Sequence, residues 1–112
     1  MDINVRKRTP VSVIQLKGDL RLGEAVDSLR KTLEEMLAAK EAKIVLNLAD
    51  VRMIDSSGIG LLVRSLASAK QQGGNLKLVS PGKFAVQTLR LVGVLNLFEI
   101  CESDDAAATS FQ

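Results

Sequence analysis

Residues 43–48, Lys-Ile-Val-Leu-Asn-Leu, form a β-branched, almost continuously apolar run of strand length. A strand that is apolar towards both faces must be covered on both, so this run predicts the middle of a sheet with a layer on each side. On either side of it the hydrophobic period changes. Val26, Leu29, Leu33, Met36 and Leu37 recur at spacings of three and four, which predicts a helix over about 23–40. Ile59, Leu62, Leu66 and Ala69 predict a second helix, with Ser56 or Ser57 as its N-cap and Gly73-Gly74 as its stop. Residues 75–79 return to a strand. Ser80 as cap and Pro81 in the first turn open a third helix that ends near Gly93, residues 97–101 make a short last strand, and Ser103 caps a terminal helical turn. At the start, Ile3, Val5, Val11 and Val13 alternate on either side of Thr9-Pro10, the pattern of an edge hairpin.

Strands that alternate with helices require right-handed crossovers and parallel neighbours. The expected architecture is therefore α/β: a mixed, mostly parallel sheet of about five strands, its N-terminal edge strand antiparallel, with about four helices. Leu46, Leu48, Leu62 and Leu66 are expected in the core. A chain of 112 residues, 46% hydrophobic and 25% charged, suits one domain that folds without a metal or a disulfide. Its single cysteine, Cys101, lies in an apolar run and reads as buried filler in a reducing compartment. The first ten residues carry charge where a secretory leader is apolar, and no later run approaches the ~20 apolar residues of a membrane span, so a cytoplasmic location is expected.

The formal net charge is +2, but residues 56–98 hold Arg64, Lys70, Lys77, Lys83 and Arg90 without one acid. These cations are spread over several elements, and with no Trp, no Tyr and three Phe there is little to stack on bases, which argues against nucleic-acid binding. The absence of histidine excludes a Ser-His-Asp triad and the commoner zinc sites. Ser28-Leu-Arg-Lys31 and Ser80-Pro-Gly-Lys83 have the spacing of a serine–lysine nucleophile pair. The first lies on a polar helix face, the second is explained by capping, and companion motifs are missing, so no enzymatic activity, cofactor or metal is expected.

The sharpest local feature is Met53-Ile-Asp-Ser-Ser-Gly-Ile-Gly60, where an acid, two hydroxyls and two glycines stand between a buried strand and a helix. In open α/β sheets function gathers at such loops, beyond the carboxyl ends of strands. Asp55-Ser56-Ser57-Gly58 alone is explained as a helix cap and a tight turn. The functional alternative is that the helix start presents a serine to a partner. Gly58-Ile-Gly60 also invites a nucleotide-binding reading, although Val63 stands where a third glycine belongs and no acid follows at ~20 residues.

Leu16-Lys-Gly-Asp-Leu20, Ile44-Val-Leu-Asn-Leu-Ala-Asp50 leading into Ile54-Asp-Ser-Ser-Gly-Ile-Gly60, and Gly74-Asn-Leu-Lys-Leu-Val-Ser-Pro81 together resemble the STAS domain family, of the anti-sigma factor antagonist type. The resemblance covers nearly the whole chain and implies a single STAS-like domain over 1–112. It also implies a partner switch, in which the unphosphorylated domain sequesters an anti-sigma factor that is a serine kinase and is released by phosphorylation. A serine phosphatase would be the other partner. The implied phosphoacceptor is Ser56, and Arg21, Asp55, Ser57, Gly58 and Ile59 join it in the implied partner site, in a monomer or weak dimer. A STAS subunit of another regulatory assembly, in stress signalling or in lipid or anion transport, would share fold and motif. Two positions depart from the family pattern: Arg21 stands where these antagonists often carry an acid, and Met53, expected to fill a core position, where they often carry an aromatic.

Overall fold

In the computed structural model, which describes residues 1–111, the hairpin consists of β1 (Asp2–Arg8) and β2 (Val11–Lys17), antiparallel and in register from Asp2–Lys17 to Arg8–Val11. The chain continues as α1 (Glu24–Ala38), β3 (Lys43–Asp50), α2 (Ser56–Gln71), β4 (Asn75–Val79) and α3 (Lys83–Val92). It ends with a 3₁₀ turn (Leu95–Leu97), β5 (Ile100–Cys101) and α4 (Asp104–Thr109). The described residues form one sheet in the order β1-β2-β3-β4-β5, parallel from β2 onwards. The apolar run at 43–48 is its centre, as its pattern requires.

The two faces of the sheet are covered unequally. Ile14, Leu16, Ile44, Leu46, Leu48, Leu76 and Leu78 face α1, α2 and α3, whose Leu29, Leu33, Leu62, Leu66 and Leu89 complete the main core. Leu46, Leu48, Leu62 and Leu66 are all buried there. On the opposite face Val11, Val13, Val45 and Val79 pack against Ala107 and Ala108 of the short α4. Cys101 is half-buried at the edge of that smaller cluster. Polar contacts fasten α4: Arg6 reaches Asp104 at 2.8 Å, Arg8 pairs with Asp105, and Asn47 Nδ2 donates to Asp104 Oδ1 at 2.9 Å.

Lys77, one of the five cations of the acid-free stretch 56–98, is only 4% exposed on this face. Its ammonium lies 2.8 Å from Glu99, donates to Ser110 Oγ at 2.6 Å and sits 4.4 Å from the centre of the Phe111 ring. A buried ammonium demands such partners, because burying a charge without them is costly.

Other local expectations shift. The first helix starts one residue later than Gly23, which lies at φ 116 as its N-cap. The third helix starts at Lys83 behind Gly82, without a side-chain cap. Ser80, expected as that cap, lies at φ 50 and its hydroxyl donates to the Glu102 carbonyl instead. The last strand is only Ile100–Cys101, because Leu95–Leu97 wind into the 3₁₀ turn. Ser103 caps α4 as expected, accepting from Ala106 N at 3.0 Å.

Candidate functional site

Because β2 and β3 run parallel, the loops that follow them emerge at the same end of the sheet. Leu20 and Ile54 form a parallel bridge there, with Leu20 N donating to Met53 O at 2.9 Å and Asp55 N to Leu20 O at 3.1 Å. Asp55 then adopts extended backbone geometry, φ −90 and ψ −179, and is the N-cap of α2. This corrects the expectation of a serine cap: Ser56 and Ser57 are the first two residues inside the helix.

The Asp55 carboxylate works in two directions. Oδ1 accepts from Gly58 N at 2.9 Å and so caps α2, while Oδ2 accepts from Leu22 N at 2.8 Å, from the loop between β2 and α1. The Leu22 hydrogen bond, followed by that of Gly58, holds the carboxyl below its ordinary pKa, with a smaller contribution from the charge of Arg21. One anionic side chain thus pins both loops of the site together.

Capping by Asp55 leaves Ser56 exposed on the first turn, with no acidic side chain in that turn to shield it. Ser57 is half-buried and Gly58 buried. A Cβ on Gly58 would fall 2.9 Å from Ile54 Cγ2, Leu20 Cγ and the Leu20 carbonyl oxygen, so glycine is what lets α2 press onto the neighbouring loop. The Gly58 position is thus accounted for by packing within the protein. Ile59, 3% exposed, turns its side chain into the core and secures the helix from within. Arg21 is exposed, its Nε donating to Met53 Sδ at 3.1 Å and its Nη2 lying 3.4 Å from Asp19 Oδ2. The structure therefore brings Arg21, Asp55 and Ser56 to one end of the sheet and turns Ile59 inwards.

Met53, expected in the core, is 44% exposed. Successive residues of an extended segment point to opposite sides, so Ile54, buried at the bridge with Leu20, puts Met53 outside. Leu22, 75% exposed on the clamped loop, and Phe84, 70% exposed on α3, are further apolar groups that the sequence reading did not single out. Their period marked no core stripe, yet nothing local said they would face solvent.

The STAS domain family model matches residues 2–107. The chain belongs to the STAS domain family. Among curated relatives, the anti-sigma-B factor antagonist of Bacillus subtilis (strain 168) is 30% identical over 102 residues, covering 89% of this chain and 92% of the relative. The structure of an anti-sigma-factor antagonist (STAS) domain protein from Planctomyces limnophilus is 26% identical, with a TM-score of 0.80 over 99% of this chain and 98% of that one. The anti-sigma factor antagonist SpoIIAA of Bacillus, in its unphosphorylated form, shares the fold at a TM-score of 0.83 and 20% identity, over 97% of this chain and 96% of its own. The expected mixed sheet and the expected family both hold. Among the described residues no helix is long and apolar enough to cross a membrane, and no group of three or more His, Cys, Asp or Glu side chains could hold a metal ion.

Proposed function

We propose that this STAS domain is an anti-sigma factor antagonist whose binding is switched by phosphorylation of Ser56. The observation that carries the reading is the division of labour at the start of α2: Asp55 performs the capping, and the Ser56 hydroxyl is left exposed on a rigidly held turn. The names of the relatives support the antagonist role. Unphosphorylated, the surface around Arg21, Ser56 and Ser57 would hold an anti-sigma factor with serine kinase activity, and a serine phosphatase would restore it.

The physical effect of the modification follows from where Ser56 sits. A phosphate adds about −1.5 to −2 charges at neutral pH. At a helix N-terminus the unpaired N–H groups and the positive dipole end accommodate that charge, so the domain stays folded. In a complex the same dianion, beside the anionic Asp55, is buried without a partner. A penalty of about 3 kcal/mol, the size expected of an unpaired buried charge, weakens binding by about two decades.

The test is affinity capture from an extract of the native host with wild-type, Ser56→Ala and Ser56→Asp baits, followed by phosphosite mapping after incubation with ATP. Wild type and Ser56→Ala should retain an anti-sigma factor bearing an ATPase kinase domain. Ser56→Asp should lose it while its melting temperature stays nearly unchanged, and phosphate should map to Ser56. Phosphate on Ser57, or a Ser56→Asp bait that retains its partner as wild type does, overturns the assignment.

A further inference from the structure

Beside the clamped loops lies an open groove of about 420 Å³, with Met53, Ile54, Phe84 and Thr88 as its walls and Arg21, Arg52 and Asp19 along its rim. Its apolar wall continues along α3. Phe84, Thr88 and Leu91 stand at i, i+4 and i+7, one face of the helix, while Ala85 and Leu89 on the inner face are buried. Phe84 is 70% and Leu91 81% exposed, so this stripe has no cover in the isolated chain. Large apolar side chains grouped on the surface and rimmed by charge mark interaction sites.

The rim specifies the sign of what fits. Arg21 and Arg52 both lean on a single oxygen, Asp19 Oδ2, at 3.4 and 3.3 Å. Two guanidinium groups against one lining carboxylate leave the groove positive, and exposed Lys83 adds to this at the start of α3. Both contacts are long and monodentate, and both arginines are largely exposed, so the bridges hold them weakly. An incoming carboxylate offering two oxygens makes the stronger, forked arrangement.

We propose that this groove receives a segment of the partner protein in which an apolar side chain is flanked by carboxylates, with Phe84 and Met53 gripping the apolar group and Arg21 and Arg52 reading the acids. The inference rests on the partner-binding reading above and adds α3 and Arg52 to its surface. It also gives Arg21 a purpose: the cation selects a partner acidic at this point and rejects a basic one.

The experiment is a titration of the isotopically labelled full chain, followed by amide chemical shifts, with two synthetic probes. These are the capped hexapeptides Glu-Asp-Leu-Phe-Glu-Asp and Lys-Lys-Leu-Phe-Lys-Lys. The acidic peptide should shift Arg21, Arg52, Met53, Phe84 and Thr88 while the basic one leaves them in place. Arg52→Glu and Phe84→Ala, both surface changes, should each raise the dissociation constant of the acidic peptide by about tenfold or more. Equal effects of the two peptides, shifts confined to another surface, or the same shifts on concentrating the chain alone, which would make a second copy the occupant, overturn the proposal. The capture assay separates it from the switch. If Ser56→Asp loses the anti-sigma factor and Phe84→Ala retains it as wild type does, the groove proposal fails and the switch stands. If Phe84→Ala loses the partner and Ser56→Asp keeps it, the groove stands and the switch fails.

Discussion

Helices α2 and α3 both begin just beyond the carboxyl end of a parallel strand, yet their first turns are built on different plans. At α2 the backbone is capped by Asp55, tied to the neighbouring loop through Leu22 N, and packed so closely at Gly58 that a single carbon would collide with Leu20 and Ile54. What it shows to solvent is small and polar, the Ser56 hydroxyl. At α3 the helix starts behind Gly82 with no side-chain cap, and what it shows is large and apolar, Phe84 and Leu91. On the proposed reading, the difference separates two tasks at one protein surface. A residue that switches binding must be held where a modifying enzyme and a partner both find it, and its own modification must not unfold the domain. A residue that supplies affinity needs only apolar area and freedom to be covered.

The comparison is open to attack at several points, the strongest of them in the core. Leu62 of α2 and Leu89 of α3 are both fully buried, so Leu62→Ala and Leu89→Ala should each cost about 2–5 kcal/mol in chemical denaturation. A near-neutral Leu89→Ala would mean that α3 is loosely attached, and that its exposed stripe reflects poor packing rather than a surface awaiting a partner.

The two glycines come next. Gly58→Ala should destabilise by about 1–3 kcal/mol, because one of the colliding atoms is a backbone oxygen that cannot swing away. Gly82→Ala should stay within about 0.5 kcal/mol of wild type, since its Cβ would meet nothing closer than the Val51 carbonyl oxygen at 3.7 Å. Equal losses at both positions would erase the contrast between the two helix starts.

Asp55→Asn keeps a capping oxygen for Gly58 but offers Leu22 N an amide nitrogen that cannot accept, and should cost about 1–2 kcal/mol near neutral pH. The cost should depend on pH in one direction. The carboxyl of Asp55 is held below its ordinary pKa in the folded chain, so its contribution is complete above the unfolded value, about 3.9, and fades as pH falls through the depressed folded value. Thermal melts from neutral to strongly acidic pH should therefore show the gap between wild type and Asp55→Asn closing only in acid. A gap independent of pH would assign the cost to shape rather than to charge. The smallest effect is expected at Phe84→Ser, within about 0.5 kcal/mol of wild type in the same melts, because the ring is mostly in solvent.

The order of strands and helices was legible in the sequence because it is written in short-range periods. Residues 43–48 are apolar towards both faces and lie at the centre of the sheet, and the three-and-four spacing of Leu29, Leu33, Leu62 and Leu66 marks the faces that α1 and α2 bury. The Asp-Ser-Ser-Gly block marked the candidate site for the same reason, since capping residues and glycine announce a helix start locally. Which of them caps was not legible. Aspartate and serine both serve as caps, and the choice of Asp55 is tied to a second donor, Leu22 N, that lies 33 positions away in the chain. The same holds for Lys77, one of five cations in an acid-free stretch but buried where Glu99 and Ser110 close over it, and for Met53, turned outwards when Ile54 pairs with Leu20. Phe84 belongs with them, since an apolar residue in an amphipathic helix is equally consistent with either side until the sheet chooses one. Local propensity and period depend on neighbours within a turn or two, and sequence carries them. Hydrogen-bond partners, buried charges and uncovered apolar groups depend on which distant segments meet, and only the tertiary structure decides that.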